Sequence, residues 1–405
     1  MHPEMHSAIV GIRTVEKLAE IEWASELELS TEGMARLDDI FNISHGRPLQ
    51  KVSRLKRFHG NKKEVMMLQA IMTSPGLIEF RDIERPHPAA DEVVLQVKRI
   101  GVCGSDIHVF HGLHPYTSYP VVQGHEIGAV IAETGAQVSG FEPGDKVVFT
   151  PQVTCGECYS CRHGMYHICD KLKVMGFQTD GAAQEFFAIK AEKVLKLPDT
   201  MTLDEAALIE PVSVAVHALS RAGNVEGLNV IVLGAGTIGN LVAQVARASG
   251  AKDVMITDVS DYKLEKARAC GLEHVVNPQK EDLGQAILNA FGPDKADLIL
   301  ECVGVQDTIT QAVTHARKGS TIIVVGVFGK KPLVDLGLVQ DRELSLIGTL
   351  MYQKKDYIRA IELVAAGKLC LEPMVTHRFV FKDYLIAYEM IEASGGNYMK
   401  VMIDL

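Results

Sequence analysis

A glycine-rich turn between an apolar stretch and a helical stretch constrains this chain more than any other feature. The segment NVIVLGAGTIGNLVAQVARA carries Gly234, Gly236 and Gly239, in the spacing G-x-G-x-x-G. The first glycine permits a tight turn, the second lets a pyrophosphate approach the backbone, and the third lets the helix pack closely on the strand. The helix N-terminus then attracts the phosphates. This context predicts a dinucleotide site, with a glycine-rich turn of another α/β fold as the alternative.

An acidic residue follows this turn at the position expected for ribose binding. Asp258 ends the next apolar stretch, VMITD, at about the 20-residue distance that such sites show. A carboxylate there accepts a hydrogen bond from a free 2′-hydroxyl and repels a 2′-phosphate, so it favours NAD over NADP. Lys263 lies nearby and weakens that preference.

The rhythm of apolar segments changes along the chain. From Met66 to Pro198, short apolar or alternating runs between glycines and prolines predict a β-rich domain. From Leu203 the pattern becomes strand–helix–strand, which predicts a doubly wound parallel sheet. The predicted class is therefore α/β. Because 405 residues exceed one small core, we expect two domains and an additional N-terminal piece.

Composition and charge exclude several classes of function. The 47% of hydrophobic and 23% of charged residues are typical of a folded protein. A net charge of −10 argues against nucleic acid or an anionic membrane as the main partner. No apolar run reaches the ~18 residues of a transmembrane helix. The first residues also lack the basic start and apolar core of a signal peptide. We therefore expect a cytoplasmic protein.

Four of the eight cysteines follow the pattern C-x2-C-x2-C-x7-C. In a reducing compartment such clustering indicates metal rather than disulfides. Four thiolates close a tetrahedral shell, so the pattern predicts a structural zinc site, to which His163 and His167 between the cysteines add little. An iron–sulfur cluster and accidental free cysteines are the alternatives. The predicted ligands are Cys155, Cys158, Cys161 and Cys169.

A second set of metal-ligand types lies apart from this cluster. Cys103 stands in GVCGSDIH at the end of a predicted strand, His125 and Glu126 in GHE, and Glu210 in IEPVSVAVHA. A catalytic zinc takes about three protein ligands and keeps one position open, and mixed sulfur, nitrogen and oxygen donors supply that set. Each residue also has a structural interpretation, as a buried small hydrophobe, a turn histidine or a helix-start residue.

The motifs GVCGSDIH, GHE, the four-cysteine lobe, IEP, GAGTIG and ECVG occur in this order. Together they resemble the zinc-containing medium-chain dehydrogenases, in their sorbitol and threonine dehydrogenase branch, from about residue 66 to 405. The resemblance implies a GroES-like catalytic domain (66–210), a Rossmann domain (211–351) and a return to the catalytic domain (352–405), after an N-terminal extension (1–65). It implies that Cys103, His125 and Glu126 bind a catalytic zinc, with Glu210 bound directly or through a water.

The resemblance also implies further roles. Ser105 and His108 match the proton-relay positions. The implied NAD contacts are the glycines of the loop with Thr237, Ile238, Asp258, Lys263, Val325, Gly326 and Val327. The implied reaction is NAD-linked oxidation of a secondary alcohol of a small polyol or sugar acid, by a homotetramer or homodimer. An L-threonine 3-dehydrogenase-like activity and a zinc-ribbon interaction protein with a vestigial nucleotide fold are the alternatives.

Several positions depart from this family pattern. The glycine usually found after GHE is replaced by Ala129, with Gly128 one step earlier, so we expect a small local adjustment. Sorbitol dehydrogenases carry tyrosine where this chain has Val109, and arginine and tyrosine where it has Met351 and Tyr352. These differences argue against sorbitol itself as the substrate. His111 and His114 are expected to be solvated loop residues.

The first 65 residues do not share this resemblance to the medium-chain dehydrogenases. Helical spacing is predicted for 14–26 and 30–42, followed by a basic linker over 51–63. Residues 8–42 resemble the C-terminal end of an aldo-keto reductase. We expect either the relic of a fused or truncated neighbouring gene or an upstream start, with translation beginning at Met66 or Met67.

Overall fold

The computed structural model describes residues 65–405. The predicted helices over 14–26 and 30–42 and the basic linker lie outside the described residues. Within the described part, two sheets organise the chain. One has seven strands and is mixed, and the other has six strands and is wholly parallel. The predicted α/β class, with a β-rich domain and a doubly wound domain, is confirmed.

The β-rich half is built around its longest strand. This strand, β3, carries a run of buried apolar side chains and pairs with three neighbours. The sheet order is β16 (Val375–Val380), β17 (Lys400–Asp404), β3, β4, β5 and β9, and β8 also pairs with β3. The strands of this half are β1 (Met66–Ser74), β2 (Leu77–Glu84), β3 (Glu92–Val102), β4 (Glu126–Thr134), β5 (Lys146–Phe149), β6 (Gln152–Val153), β7 (Lys173–Val174), β8 (Phe186–Lys190) and β9 (Val194–Lys196). Of two short helices, α1 (Gly104–Phe110) follows β3 and α2 (Tyr159–Arg162) lies within the cysteine-rich segment.

The parallel sheet has the strand order β12-β11-β10-β13-β14-β15. Its first strand, β10, lies at the centre, so the chain switches direction beside it, where dinucleotides bind in such sheets. The strands are β10 (Asn229–Leu233), β11 (Asp253–Thr257), β12 (His274–Val276), β13 (Leu298–Glu301), β14 (Thr321–Val324) and β15 (Ser345–Gly348). The helices that alternate with them are α4 (Thr237–Ala248), α5 (Asp261–Ala269), α6 (Leu283–Phe291), α7 (Gln306–His315) and α8 (Leu336–Asp341).

One helix, α3 (Leu203–Ser220), leads from the first half to the second. Thr202 caps it and Glu205 closes a capping box, which satisfies the free N–H groups of the first turn. Nearly all its side chains from Ala206 to Leu219 are buried, so it is enclosed on every side. The helix runs on through positions 210 and 211, between which the sequence analysis placed the domain boundary.

The small residue after GHE has a packing reason. A Cβ atom at position 128 would lie 2.3 Å from the carbonyl oxygen of Leu203, at the start of α3. Gly128 therefore lets β4 approach the helix, whereas the neighbouring Ala129 is fully buried on the other face of the strand. The expected local adjustment is thus a close helix–strand contact.

The C-terminal segment returns to the β-rich half. Helix α9 (Lys354–Ala365) packs on α3, and the last strands, β16 (Val375–Val380) and β17 (Lys400–Asp404), enter the seven-stranded sheet beside β3. Helix α10 (Tyr384–Ala393) connects them. Among residues 65–405, no helix combines the length and apolar character that crossing a membrane requires.

Candidate active site

Three ligand-type side chains converge where β3 ends and β4 begins. Cys103 follows β3, whereas His125 and Glu126 stand at the start of β4. Because β3 and β4 pair with Gly101 opposite Glu126, the two ends lie side by side. The ligand atoms of Cys103, His125 and Glu126 all lie within 4.8 Å of one another. One ion can contact all three, and a sulfur, a nitrogen and an oxygen form a donor set that zinc accepts.

Asp106, in the first turn of α1, organises two of these groups. Its buried carboxylate accepts a hydrogen bond from the Cys103 N–H at 2.9 Å, and its Oδ1 lies 3.6 Å from Nδ1 of His125. Burial opposes a charged imidazole, but Asp106 and Cys103 raise the pKa of His125 to about 10. A carboxylate behind a metal-binding histidine fixes its ring orientation. At 3.6 Å the two atoms are beyond hydrogen-bond distance, so Asp106 lies behind His125 as a nearby opposite charge.

Glu126 shares its carboxylate with a buried lysine. Nζ of Lys400, on β17, lies 2.8 Å and 2.6 Å from the two carboxylate oxygens and donates to the Val102 carbonyl at 3.1 Å. Gly101 makes room for this pair, because a Cβ at that position would stand 2.2 Å from Oε2 of Glu126. An isolated buried carboxylate is strongly disfavoured. Lys400 therefore stabilises and orients Glu126.

Glu210 lies in the middle of α3, so it is not a helix-start residue. Tyr352 donates its hydroxyl to Oε1 of Glu210 at 2.5 Å, and both side chains are buried. Burial raises the pKa of Glu210 to about 7, against the opposing charge of His125. Glu210 does not join the group whose ligand atoms lie within 4.8 Å of one another.

The two relay candidates lie on α1. Ser105 is half-buried and His108, one helical turn later, is exposed. Residues at this spacing share one helix face, so the pair leads from the interior towards solvent. The next residue, Val109, is fully buried, so its side chain packs in the core rather than facing a ligand.

His114 departs from the expectation that it is a solvated loop residue. Its ring is half-buried, its Nδ1 lies 2.8 Å from the hydroxyl of Thr117, and it stacks on Phe177 with ring centroids 5.0 Å apart. The other side of Phe177 packs against His125 at 4.9 Å. Burial lowers the pKa of His114. His114 and Phe177 therefore form an aromatic wall beside the three donors.

The four-cysteine lobe brings its sulfur atoms together. Sγ of Cys169 lies 3.4 Å from Sγ of Cys155 and 3.9 Å from Sγ of Cys158. These distances exceed a disulfide bond, and they match the sulfur–sulfur edge of about 3.8 Å that a tetrahedron with zinc–sulfur bonds of about 2.3 Å has. Backbone N–H groups of Asp170 and Cys161 lower the pKa of Cys158 to about 6. The lobe is therefore arranged for one thiophilic ion.

The dinucleotide loop has the geometry that its glycines predict. Gly234 has φ of +104°, which favours glycine, and a Cβ there would meet Val303 at 2.5 Å. A Cβ on Gly239 would lie 1.8 Å from the carbonyl oxygen of Gly234, whereas Gly236 has open space around it. Thr237 uses its hydroxyl to donate to the Met399 carbonyl at 2.9 Å. Ile238 is half-buried at the start of α4.

Asp258 reaches back to this loop. Its Oδ2 accepts a hydrogen bond from the Ala235 N–H at 2.8 Å, and its Oδ1 accepts one from the Ser260 N–H at 2.9 Å. Each carboxylate oxygen keeps a second acceptor position, so a ribose hydroxyl can still bind. Lys263 lies in the first turn of α5, one turn away. The structure thus brings the acid, the lysine and the glycine loop to one edge of the sheet.

Val325, Gly326 and Val327 follow β14 and are organised by Glu301, at the end of β13. The Glu301 carbonyl accepts hydrogen bonds from Val325 and Gly326, and its buried Oε1 accepts one from the Gly304 N–H at 2.8 Å. The side chain of Val327 is 89% exposed. This segment therefore has an open, apolar surface at the carboxyl ends of the strands.

Sequence reasoning did not identify four of these contributors: Asp106, Lys400, Glu301 and the contact of Tyr352 with Glu210. For Asp106 a signal existed, since an acid three residues after Cys103 matches a capping position. Lys400 stands at the head of an apolar strand, which gives no sign of its partner.

Comparison with known proteins agrees with the fold and the grouped donors. Residues 89–199 match the family model described as the alcohol dehydrogenase GroES-like domain, and residues 237–366 match the model described as zinc-binding dehydrogenase. Together they define a two-domain zinc-binding dehydrogenase. The chain belongs to the zinc-containing medium-chain alcohol dehydrogenase family.

Three curated relatives differ in their substrates. The chain is 39% identical to 2-dehydro-3-deoxy-L-galactonate 5-dehydrogenase of Pseudoalteromonas atlantica, over 78% of this chain and 92% of the relative. It is 34% identical to D-xylulose reductase of Saccharomyces cerevisiae, over 82% and 96%. It is 31% identical to L-threonine 3-dehydrogenase of Pyrococcus horikoshii, over 84% and 99%.

Two similar solved structures hold a nicotinamide cofactor. A zinc-binding dehydrogenase of Sinorhizobium meliloti bound to NADP has a TM-score of 0.77 and 28% identity, over 84% of this chain and 100% of the other. An alcohol dehydrogenase of Escherichia coli complexed with NADH has a TM-score of 0.78 and 29% identity, over 84% and 99%. The family therefore uses zinc and a nicotinamide cofactor.

Proposed function

We propose that this protein oxidises a secondary alcohol of a small polyol or sugar acid to a ketone, with NAD as the hydride acceptor. The observation that carries the proposal is the group of Cys103, His125 and Glu126 within 4.8 Å, in a chain that also has the glycine loop. Sugar-acid and polyol substrates are those of the first two relatives.

We propose that zinc binds this group because its donors are a sulfur, a nitrogen and an oxygen, and because neighbouring side chains lie against them. When bound, zinc acts as a Lewis acid that lowers the pKa of an alcohol. Asp106 lies behind His125, Lys400 orients Glu126, and Tyr352 holds Glu210. A second, structural zinc is proposed at the four-cysteine lobe, whose sulfur spacing suits a single ion rather than a cluster that binds each sulfur to a different iron.

The remaining residues are proposed to move the proton and seat the cofactor. Ser105 accepts the proton of the substrate hydroxyl and His108 passes it to solvent, because one is half-buried and the other exposed. The glycine loop and the α4 N-terminus hold the pyrophosphate, and Val325, Gly326 and Val327 face the nicotinamide. We propose that a cleft between the two domains excludes water and orders the two reactants.

Asp258 provides a test of the preference for NAD. In Asp258→Asn we expect kcat/KM for NAD to fall about 10- to 100-fold, since a charged hydrogen bond to the ribose is lost, and kcat/KM for NADP to rise because repulsion of the 2′-phosphate ends. Steady-state kinetics with both cofactors measures this. Asp261→Asn, a change to an exposed acid three positions later at the first residue of α5, is the control. A wild-type enzyme that uses both cofactors equally contradicts the assignment.

A substrate screen tests the reaction itself. NAD reduction is followed with C4–C6 polyols, aldonates and amino alcohols, and we expect the highest kcat/KM on a polyol or sugar acid. Preference for L-threonine would support the alternative suggested by the third relative. A zinc content of one per chain without turnover would instead support the interaction protein, whereas two per chain with turnover supports the enzyme.

Two further features are proposed with this function. The exposed Leu333, Leu336 and Leu346 lie on or near the edge strand β15 and helix α8, and an uncovered apolar edge favours association. We therefore expect a homodimer or homotetramer, which light scattering measures.

None of the eight cysteines, all of which lie among the described residues, forms a disulfide, which is consistent with the cytoplasm as the proposed location.

A further inference from the structure

A cavity of about 470 Å³ has none of the proposed metal ligands in its lining, although one of its walls belongs to the cysteine-rich lobe. Four segments of the chain enclose it: the end of the cysteine-rich lobe at 165–168, the last turn of α3, the residues after β15, and the start of α9. Its volume is within the range of small-molecule sites, about 300–1,000 Å³. None of Cys103, His125, Glu126 or Glu210 lines it.

One side of this cavity is formed by His167, whose tautomer is set by a hydrogen bond. The amide nitrogen of Gln353 lies 3.0 Å from the Gly164 carbonyl and 3.0 Å from Nδ1 of His167. Because a carbonyl only accepts, the amide must donate to both, and Nδ1 of His167 is an acceptor. The neutral ring then carries its proton on Nε2. His167 is buried and lines the cavity, so it offers an N–H donor.

A second histidine stands against the first. The rings of His167 and His217 are 4.7 Å apart and nearly perpendicular. Nδ1 of His217 lies 2.8 Å from the buried carboxylate of Asp356, which holds the ring in place. Thr349 also lines the cavity, and its buried hydroxyl has no hydrogen-bond partner among the described residues. That hydroxyl lies below the cavity surface, so Thr349 contributes its other atoms to the wall.

The charged side chains that line the cavity are positive. Arg221 and Lys355 both line the cavity, and neither an aspartate nor a glutamate is among the described residues that do so. Nε of Arg221 is used on the Gly348 carbonyl at 3.2 Å, which leaves the two terminal nitrogens of its guanidinium for another acceptor. Two cations together with neutral donors match an anion of charge −2 with several oxygens.

We propose that this cavity, lined by His167, His217, Arg221, Thr349 and Lys355, binds a phosphate group, free or carried by a small metabolite. The cations neutralise the oxyanion, while the imidazole N–H supplies a directed hydrogen bond. The apolar Met165, Ile168 and Leu350 in the same lining leave room for a carbon skeleton attached to the phosphate.

Inorganic phosphate is the probe for the test. The full-length, zinc-loaded protein is titrated with sodium phosphate by calorimetry and by thermal shift, in the presence of saturating NADH so that the glycine loop is occupied. We expect saturable binding with one site per chain and a Tm that rises with phosphate concentration. A phosphate monoester of a three- to six-carbon sugar, titrated in the same way, separates the two sources: tighter binding than phosphate favours a metabolite, and equal binding favours free phosphate.

Variants assign this binding to the cavity. Lys355→Gln and Arg221→Gln are each expected to raise the Kd for phosphate about tenfold, the loss of roughly 1.4 kcal/mol of charge-assisted contact. Both side chains are exposed at the rim, so folding is retained, which the Tm without phosphate verifies. Lys354→Gln, the neighbouring exposed lysine outside the lining, is the control. Unchanged Kd in the two cavity variants, or no saturable binding by the wild type, overturns the proposal.

Discussion

Cys103→Ser is expected to lower kcat at least about 10³-fold while leaving the Kd for NADH close to that of the wild type. A metal ion at a reacting oxygen contributes several kcal/mol, and about 4 kcal/mol corresponds to that factor. The hydroxyl of serine replaces a thiolate, the softest donor among the three ligands. The glycine loop, 131 positions further along the sequence, is untouched. NADH fluorescence and steady-state kinetics measure the two quantities.

The control and the metal content make this result interpretable. Cys370→Ser changes a partly exposed cysteine far from the metal-ligand groups in sequence, and it should retain activity. Zinc analysis should find two ions per chain in the wild type and in Cys370→Ser, but one in Cys103→Ser, because the four-cysteine lobe keeps its own. Full activity of Cys103→Ser would refute the assignment of the catalytic centre.

Gly239→Ala is expected to destabilise the protein by about 3 kcal/mol or more, the upper range for overpacking. The added Cβ would lie 1.8 Å from the carbonyl oxygen of Gly234, a backbone atom that cannot move away independently. Either α4 moves away from β10 or the tight turn opens. Differential scanning calorimetry without cofactor should therefore show a Tm lower by several degrees, together with weaker NADH binding.

Gly236→Ala separates stability from cofactor binding. Gly236 caps α4 with φ of −65°, which any residue adopts, and no atom lies within 4 Å of its added Cβ. We expect an unchanged Tm without cofactor but about tenfold weaker NADH binding, a loss of about 1.4 kcal/mol, because the methyl group occupies the approach of the pyrophosphate. Equal Tm values for the two variants would show that the packing argument for Gly239 is wrong.

Local patterns account for what could be predicted about the fold. The run NVIVLGAGTIG encodes its strand, turn and helix in adjacent residues, and the structure has β10 ending at Leu233 and α4 beginning at Thr237. The cysteine spacing is local in the same way. The family resemblance added Cys103, His125 and Glu126, which lie within 24 positions of each other and at adjacent ends of two paired strands.

Contacts between distant segments could not be predicted. Lys400 meets Glu126 across 274 positions because β17 pairs with β3, which in turn pairs with β4. Tyr352 reaches Glu210 across 142 positions. The expected solvation of His114 was wrong for a related reason, since Phe177, on which it stacks, comes from the segment after the cysteine lobe. Such pairings depend on sheet register, which no local pattern specifies.

The sequence by itself therefore determined the two-domain α/β fold, the glycine loop and the candidate metal-ligand side chains, because each is encoded by neighbouring residues or by a short ordered set of motifs. The tertiary structure alone decided how those ligands are held. It placed Asp106 behind His125, Lys400 on Glu126 and Tyr352 on Glu210, and it enclosed the cavity between His167 and Arg221. The last three of these arrangements arise where the C-terminal segment folds back onto the first half and brings polar and charged groups together away from water.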